Sequence, residues 1–396
     1  MKMLQMMQKG ILAACFAACS LCSQAQDLAT RMAASDIAID PAATGTLSLT
    51  IDNLSFFKDN EYEGDHSRGY SLPGLWLQPK VVYQPLPNVR LEAGFHALIF
   101  DGANKYPCYA YHDIGRWKGN QYQSGAHLLP FFRAQAQLQN LTFVLGDIYG
   151  GANHRVMEPL MNPEVNLTQD PEMGFQLLWN LPRYQMDAWL NWQSYIFEED
   201  THQEAFTVGV HQQFLLNDPA QAWHWYLPVD VLAQHRGGEQ DITDMGVQTI
   251  TNGGIGLGLR WRTGARALES ITAEAAALGC WQQAGELWPF DSGVAVSGSV
   301  AAQFKNGLRL FGGLFYARDF VSLYGVPFYS TLSQADAGTR FRDLLTPHAG
   351  VEWCHTFAKD YTLGAKADVY PMRGTNNFSF GVYFRCMPSF QLWKKR

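Results

Sequence analysis

Apolar and polar residues alternate with a period of two along most of this chain. In residues 89–99 the odd-numbered positions are apolar, whereas Arg90 and Glu92 occupy the opposite face. Residues 361–369 repeat the pattern, with charged residues on the polar face. Such alternation predicts β-strands with one apolar and one polar face. Because no window after residue 26 keeps a helical period over three turns, we predict an all-β fold.

Short turns and longer loops alternate between these segments. The turns are rich in Pro, Gly, Asn and Asp and lie at 84–88, 139–140, 181–183, 217–221, 263–266, 305–307 and 358–360. The longer breaks lie at 57–69, 101–126, 149–171, 198–203, 236–248, 282–291, 321–346 and 372–377. A transmembrane β-barrel has tight turns at one end and long loops at the other. We therefore predict a single antiparallel barrel of about 16 strands, with periplasmic turns and extracellular loops. Because some segments are weak as strands, 14 is the alternative.

The start of the chain has the pattern of a secretory signal peptide. Lys2 and Lys9 precede an apolar stretch at 11–22, which is followed by small and polar residues up to Gln26. This stretch is shorter than the roughly 20 residues that a membrane-spanning helix needs. The sequence therefore predicts export by a cleaved signal peptide.

Three regions follow from this division of the chain. We predict a signal peptide over 1–26, a periplasmic N-terminal lead-in over 27–44 and one barrel domain over 45–396. An alternative cleavage would make Cys15, which follows Leu-Ala-Ala, the first residue of a lipoprotein.

Composition narrows the classes of function. Of the 396 residues, 16% are charged and 13% are aromatic, and the net charge is −7. The signal peptide contains two lysines and no acidic residue, so its removal changes the net charge to −9. This composition excludes a disordered chain and a basic nucleic-acid-binding protein. The four cysteines outside the signal peptide are too widely spaced for a disulfide framework and form no zinc motif: Cys108, Cys280, Cys354 and Cys386.

The last predicted strand, residues 377–385 (Asn-Phe-Ser-Phe-Gly-Val-Tyr-Phe-Arg), lies close to the C-terminus and is followed by the tail 388–396. Together with a signal peptide that ends in Gln-Ala-Gln and with the alternating strands, this pattern resembles outer-membrane β-barrel proteins of Gram-negative bacteria. It is similar in particular to uncharacterised barrels of the Bacteroidales. The resemblance implies location in the outer membrane, contact with lipid and lipopolysaccharide, and insertion by the outer-membrane assembly machinery. It does not name a substrate.

The polar faces of the strands supply candidate pore-lining residues. A barrel of about 16 strands holds an aqueous channel unless a loop fills it. The lining candidates carry both signs of charge: Arg90, Glu92, Arg133, Asp187, Asp230, Glu352, Lys366, Asp368 and Arg385. A phosphate-selective pore would show a ring of Arg and Lys. The mixture instead predicts a passage for small polar solutes.

The loop 149–171 is a candidate constriction. It begins with two glycines and carries His154, Arg155 and Glu158. Because loops of this length often serve function, it could fold into the lumen, and a solvated cap is the alternative. The glycine run 253–258 lies in an alternating strand, where glycines allow a close approach from the lumen.

The sequence predicts no catalytic, cofactor or metal site. A lipid hydrolase needs a Ser and a His within hydrogen-bond reach that face the outer leaflet. Ser297 and Ser299 lie on one predicted strand, with His211, His348 and His355 on others, but no spacing rule pairs them. The histidines near loops have no metal-ligand spacing: His154, His202 and His235.

Three functions remain, in order of preference. The first is a passive, porin-like channel. The second is a structural or interaction barrel that docks envelope or surface partners, its lumen closed by side chains such as Trp189, Tyr195 and Tyr226. The third is an outer-membrane lipid hydrolase.

Overall fold

The computed structural model describes residues 27–101, 125–196, 202–238, 246–336 and 338–395. The predicted signal peptide, most of the loop 101–126 and Cys108 lie outside these residues. The other three cysteines of the barrel are free thiols. The described strands form one sheet: β1 Thr46–Glu61, β2 Tyr70–Leu86, β3 Val89–Phe100, β4 Gly125–Leu138, β5 Leu141–Asp147, β6 Met173–Leu181, β7 Tyr184–Ser194, β8 Ala205–Leu215, β9 Trp223–Arg236, β10 Gln248–Arg262, β11 Leu268–Ala284, β12 Ser292–Phe304, β13 Leu308–Arg318, β14 Asp343–Phe357, β15 Tyr361–Met372, β16 Thr375–Cys386 and β17 Ser389–Lys394.

The sheet closes into a barrel because β1 pairs antiparallel with both β2 and β16. β17 continues β16 past Pro388 and pairs with Thr46–Thr50 of β1. The backbone N–H of Ile51 donates to the Pro388 carbonyl (3.0 Å) at the break. The barrel therefore has 16 strands around its circumference and one extra strand. The predicted all-β class and the count of 16 are confirmed, and the alternative of 14 is wrong.

All seven predicted turns join neighbouring strands at one end of the barrel, which we call the turn end. The longer connections lie at the other end, the loop end. The predicted loop 372–377 is the exception: only Arg373 and Gly374 separate β15 from β16. Both are in the left-handed region (φ 51° and 84°), which a two-residue hairpin turn needs. A tight turn therefore replaces the expected loop.

The outside of the barrel is apolar and the inside is polar. In β3, Phe95 and Ile99 are 57% and 53% exposed, whereas Glu92 and His96 are 4% and 2% exposed. An apolar band that faces outward suits a wall surrounded by lipid. The face assignment predicted for residues 89–99 is confirmed.

The helices are short. They are α1 Leu28–Ala33, α2 Val165–Thr168 and the 3₁₀ turns Pro41–Ala43, Gly151–His154, Glu158–Leu160 and Pro327–Tyr329. None of the helices in the described ranges is long and apolar enough to cross a membrane.

Residues 28–38, which we call the N-terminal segment, lie inside the barrel. Arg385 of β16 donates to the carbonyls of Met32 and Ala34 (3.0 and 2.6 Å). Leu28 and Met32 are buried against the barrel interior. The predicted lead-in thus differs from the structure over this stretch, because burial removes two large apolar side chains from water.

Residues 319–342, which we call the cap, close the loop end. Every residue from 320 to 333 is buried. Asn252 of β10 makes two hydrogen bonds to the backbone of the cap. Its Nδ2 donates to the Val321 carbonyl, and its Oδ1 accepts from the Leu323 N–H, both at 2.7 Å. His66, in the loop after β1, stacks on Phe328 with ring centroids 5.7 Å apart. Residues 320–333 of the cap are therefore part of the packed interior rather than a solvated loop.

Candidate functional site

The loop after β5, residues 148–172, lies inside the barrel and is called here the inner loop. His154 anchors it: Nδ1 lies 2.7 Å from Asp187 Oδ2 of β7, and Nε2 lies 3.2 Å from Glu172 Oε2. The ring stacks on Trp189 with centroids 3.6 Å apart. Burial by itself lowers the pKa of His154, but the charges of Asp187 and Glu172 outweigh burial and raise it to about 9. Protonated His154 thus donates from both nitrogens and is fully satisfied.

The other two constriction candidates lie in different places. Arg155 is exposed and left-handed (φ 56°), whereas Glu158 is half-buried. Between them, the Met157 N–H donates to Asp230 Oδ2 (2.9 Å). A Cβ on Gly254 would lie 2.9 Å from Met157 Cε. The predicted role of the glycine run, to let a lumenal group approach the wall, is confirmed.

The nine predicted pore-lining residues lie on the inner face. One of them, Glu92 of β3, forms ion pairs with three cationic side chains. Lys80 Nζ and Arg90 Nε each lie 3.0 Å from an oxygen of Glu92, and Arg133 Nη1 lies 3.4 Å away. Arg90 also donates to the carbonyls of residues 36 and 38 of the N-terminal segment (2.8 and 3.0 Å). These charged side chains connect the barrel wall to the N-terminal segment. Their role in a conducting path stays a prediction.

The remaining predicted lining residues are also paired. Glu352 accepts from Arg309 Nη1 (2.8 Å) and lies 3.5 Å from Lys366 Nζ. Arg385 makes two bonds to Asp52 (3.0 and 2.9 Å). Lys366 also lies 3.1 Å from Asp368 Oδ1, and His211 Nδ1 lies 2.6 Å from Asp230 Oδ1. The lumenal charges thus form a network of ion pairs.

The segments inside the barrel divide the lumen. The Ser35 N–H of the N-terminal segment donates to Asn153 Oδ1 of the inner loop (2.7 Å), so the two meet. Cavities of about 60 and 100 Å³ lie beside the N-terminal segment, and Ala33 borders both. Trp189 and Tyr226 also point inward, as the interaction-barrel hypothesis expected, whereas Tyr195 is 66% exposed. In the described residues these segments interrupt the lumen.

Ser299 and His348 lie on the inner face, near the cap. Strand register places Ser299, Gly313 and His348 in one row on the inner face. The His348 ring lies over Gly313, where a Cβ would be 2.6 Å from its Cε1. Tyr329 of the cap covers this row, with its hydroxyl 3.4 Å from His348 Nδ1.

His235 lies on the outer face at the loop end. It shares the outward phase of β9 with Val231, which is 42% exposed. Its register partner on β10 is Thr249, and His235 Nδ1 lies 2.9 Å from Thr249 Oγ1. Both residues are half-buried. A hydroxyl within hydrogen-bond reach of an imidazole can act as a nucleophile with its base.

Aromatic residues and an amide surround this pair. The Phe206 ring lies 5.0 Å from His235, and Trp192 stacks on Phe206 at 5.2 Å. On the other side, Thr251 Oγ1 donates to Gln283 Oε1 (3.0 Å), which leaves the Gln283 amide nitrogen as a donor for an oxyanion. Aromatic rings at a strand end are typical of the boundary between lipid and water. We call these residues the rim site.

Sequence reasoning overlooked the rim site. The sequence marks His235 only as a histidine near a loop without metal-ligand spacing, and no sequence pattern singles out Thr249. The available signal was a polar residue in the outward, otherwise apolar phase of β9. Thr249 becomes its partner only through the register of β9 and β10.

A family model described as Lipid A 3'-O-deacylase-type matches residues 39–395. No curated protein matches the sequence. Among solved structures, the barrel is similar to the outer-membrane protein OprD of Pseudomonas aeruginosa, with a TM-score of 0.50 and 8% identity over 90% of this chain and 98% of that one. OccAB3 of Acinetobacter baumannii matches with a TM-score of 0.44 and 12% identity over 87% and 99%. The likeness to OprD confirms the predicted resemblance to Gram-negative outer-membrane barrels and concerns the fold alone.

Proposed function

The chain belongs to the lipid A 3'-O-deacylase-type family, and from this we propose that the protein is an outer-membrane enzyme that removes an acyl chain from lipid A. The observation that carries the proposal is the contact of His235 with Thr249 on the outer face (2.9 Å). Because the substrate is a membrane lipid, the reacting groups must face lipid rather than the lumen. The barrel fold shared with OprD does not decide the function, since one fold hosts many activities.

The chemistry follows from the order of the groups. His235 Nδ1 takes the proton of the Thr249 hydroxyl as Oγ1 attacks the ester carbonyl carbon. The Gln283 amide donates to the oxyanion. The sugar oxygen then leaves with the proton from His235, and an acyl ester remains on Thr249. Water, deprotonated by His235, hydrolyses that ester, releases the fatty acid and restores the hydroxyl.

The orientation of the barrel belongs to the proposal. We place the loop end at the cell surface and the turn end in the periplasm, as in related architectures. The rim site then lies at the level of the outer leaflet. Export by cleavage of residues 1–26 and insertion by the assembly machinery are part of the same proposal.

The test is mass spectrometry of lipid A incubated with the purified protein in detergent. We expect loss of one acyl chain and a fall in rate of about 10²–10⁴-fold for His235→Ala and Thr249→Val. His355→Ala is the matched control: His355 also lies on the outer face, but at the turn end, stacked near Trp353 (6.1 Å). Equal rates for His235→Ala and His355→Ala would overturn the assignment.

A second candidate is a gated passage for small polar solutes. The charged inner face favours it, with the nine predicted lining residues and with Glu158 of the inner loop. Because the N-terminal segment meets the inner loop, such a passage requires movement of these segments. We expect deletion of residues 152–162 to raise single-channel conductance in planar bilayers. A correctly folded deletion variant that conducts no more than the parent protein would exclude this candidate.

A further inference from the structure

The barrel wall is incomplete toward the loop end between β4 and β7. β5 ends at Asp147 and β6 begins at Met173, and these two residues are register partners. β4 pairs with β5 only from Arg133 onward, so in the described chain residues 125–132 have no strand on that side. β7 continues past β6 and pairs with β8 as far as Ser194. The gap above β5 and β6 is about 14 Å wide, which is three strand spacings, and we call it the wall opening.

A proline marks the unpaired edge of β4. The N–H of Phe132 points to the β5 side, where it donates to Asp147 Oδ2 (2.5 Å). Because backbone groups of a strand point alternately to its two neighbours, the nitrogen of Pro130 also faces the wall opening. Proline has no N–H and is found within sheets where no partner strand needs one. The free edge is therefore written into the sequence of β4.

Apolar side chains surround the wall opening on the outside of the barrel. Leu128 of β4 is 72% exposed, and Phe132, Leu145 and Met173 are exposed as well. Trp192 of β7 is exposed on the opposite side. Outward apolar residues of a membrane barrel face hydrocarbon. Within the described chain, the wall opening therefore joins the interior to the membrane.

The larger of the two cavities, about 100 Å³, lies directly behind the wall opening. Phe131 and Arg133 of β4 border it, together with Ile148, which follows β5, and Pro171, which precedes β6. Trp76 of β2 adds aromatic surface. Because a buried water needs roughly 10–15 Å³, the cavity has room for a group of several heavy atoms.

His96 of β3 supplies this cavity with an unused hydrogen-bond donor. Its buried side chain lines the cavity. Gln78 Nε2 donates to His96 Nδ1 (2.9 Å), which places the proton of the neutral ring on Nε2. This Nε2 is buried and has no partner in the part of the chain that the structure describes. Since an unsatisfied buried donor costs free energy, a ligand oxygen that accepts from His96 is stabilised there.

The charges around the cavity are already compensated. Its ionisable lining residues have these partners: Asp52 with Arg385, Arg133 with Glu92, Asp170 with His127 and Glu172 with His154. An ionised headgroup would therefore meet no uncompensated opposite charge, and its burial would be costly. The cavity instead suits an uncharged group that carries an oxygen acceptor.

We propose that the wall opening and the cavity behind it bind a single-chain membrane lipid with a small, uncharged hydroxyl head, such as a monoacylglycerol. The chain lies across the apolar border at Leu128 and Leu145, and a head oxygen accepts from His96 Nε2. The site is separate from His235 and Thr249. It therefore goes beyond the proposed function and does not depend on it.

Photolabelling in vesicles tests the site. The protein, reconstituted in phosphatidylethanolamine and phosphatidylglycerol, is irradiated in the presence of a monoacylglycerol that carries a diazirine close to its head. Mass spectrometry of the peptides then maps the label. We expect the label to concentrate on residues 125–136 and 148–151. Label spread evenly over the outward faces of all strands would overturn the site, and this map needs no variant to fold.

The variant His96→Phe keeps a ring in place and removes the donor. We expect the label on residues 125–136 to fall about fivefold, as the loss of one hydrogen bond implies. His348→Phe is the matched control, because His348 is also a buried histidine of the inner face whose Nε2 has no partner in the described ranges, but it lies beneath the cap. Equal labelling of the parent and the folded His96 variant, or an equal loss in both variants, overturns the role of His96.

Competitors identify the class of ligand. Excess unlabelled monoacylglycerol should remove the label, whereas a fatty acid of the same chain length should not, because its carboxylate finds no uncompensated cation in the cavity. Equal competition by the fatty acid would overturn the uncharged head. Competition by glycerol at the same concentration would assign the cavity to a water-soluble polyol and overturn the lipid assignment.

Discussion

The lumen and the outer rim use histidine in different ways. In the lumen, His154 has a carboxylate at each nitrogen and a tryptophan against its ring. At the rim, His235 contacts one hydroxyl and one aromatic ring and is half-buried on the outer face. Buried charges need partners, which leaves them no capacity for a ligand. A group at the rim keeps that capacity.

This comparison changes how the charged inner face is interpreted. Residues such as Glu92 and Arg385 line the interior as predicted, but they bind other charges and the backbone of the N-terminal segment. A polar inner face therefore does not by itself indicate a channel. Four experiments distinguish a structural interior from a rim with the proposed chemistry.

The largest effect is expected at His154. His154→Ala leaves Asp187 and Glu172 buried without their cation, which should cost about 3–5 kcal/mol of unfolding free energy. His235→Ala should cost far less stability, although it removes the base of the rim site. Thermal unfolding of both variants in detergent checks this. If the His154 variant were as stable as the parent protein, the buried charges around His154 would not have the structural role assigned to them.

The second largest loss of stability is expected for a charge placed on the outer wall. Ile255, in the middle of β10, is 52% exposed, and Ile255→Arg should cost about 2–4 kcal/mol and reduce assembly, because the side chain faces hydrocarbon. Ile255→Ala controls for loss of the side chain. Heat-modifiability on gels reports the folded fraction. Wild-type levels of folded Ile255→Arg would place this surface outside the membrane.

The two closing elements of the lumen should respond to opposite changes of pH. The pKa of His154 is raised from 6.5 to about 9. Protonated His154 therefore stabilises the inner loop fully below pH 6.5, and this stabilisation is lost as the pH rises above 9. Burial, aided by Arg373, lowers the pKa of His66 to about 4. The contribution of neutral His66 to the cap is therefore complete above 6.5 and lost as pH falls toward 4.

Limited proteolysis with mass spectrometry of the fragments measures these responses. We expect cleavage in 148–172 to increase first in alkali and cleavage in 319–342 to increase first in acid. Loosening of both elements at the same extreme of pH would contradict the assigned charge states. His66→Gln should abolish the acid response alone.

The smallest effect concerns Arg318. Its exposed contact with Asp343 (2.9 Å) contributes little to stability, so Arg318→Gln should unfold like the parent protein. Thermal unfolding in detergent again provides the measurement. A loss comparable to that of His154→Ala would show that Arg318 has a structural role, as the interior charges do.

The sequence by itself determined the barrel. Alternation along β3 and β15, the turn residues at seven positions and the outward apolar faces are local properties, because side chains of a strand alternate wherever it pairs. From them follow the all-β class, the 16 strands and the inward direction of the charged residues. The glycine run in β10 likewise indicates, from its own strand, a close approach from the lumen, and Met157 makes it at Gly254.

The tertiary structure decided which residues meet. Thr249 becomes the partner of His235 through the register of β9 and β10, and Arg385 meets Asp52 across the barrel closure. The positions of the N-terminal segment and the cap in the lumen depend on such distant contacts as well. No local pattern encodes them, because the free energy of burial depends on the whole wall that surrounds a segment. The rim site, and with it the proposed function, therefore became visible only in the closed barrel.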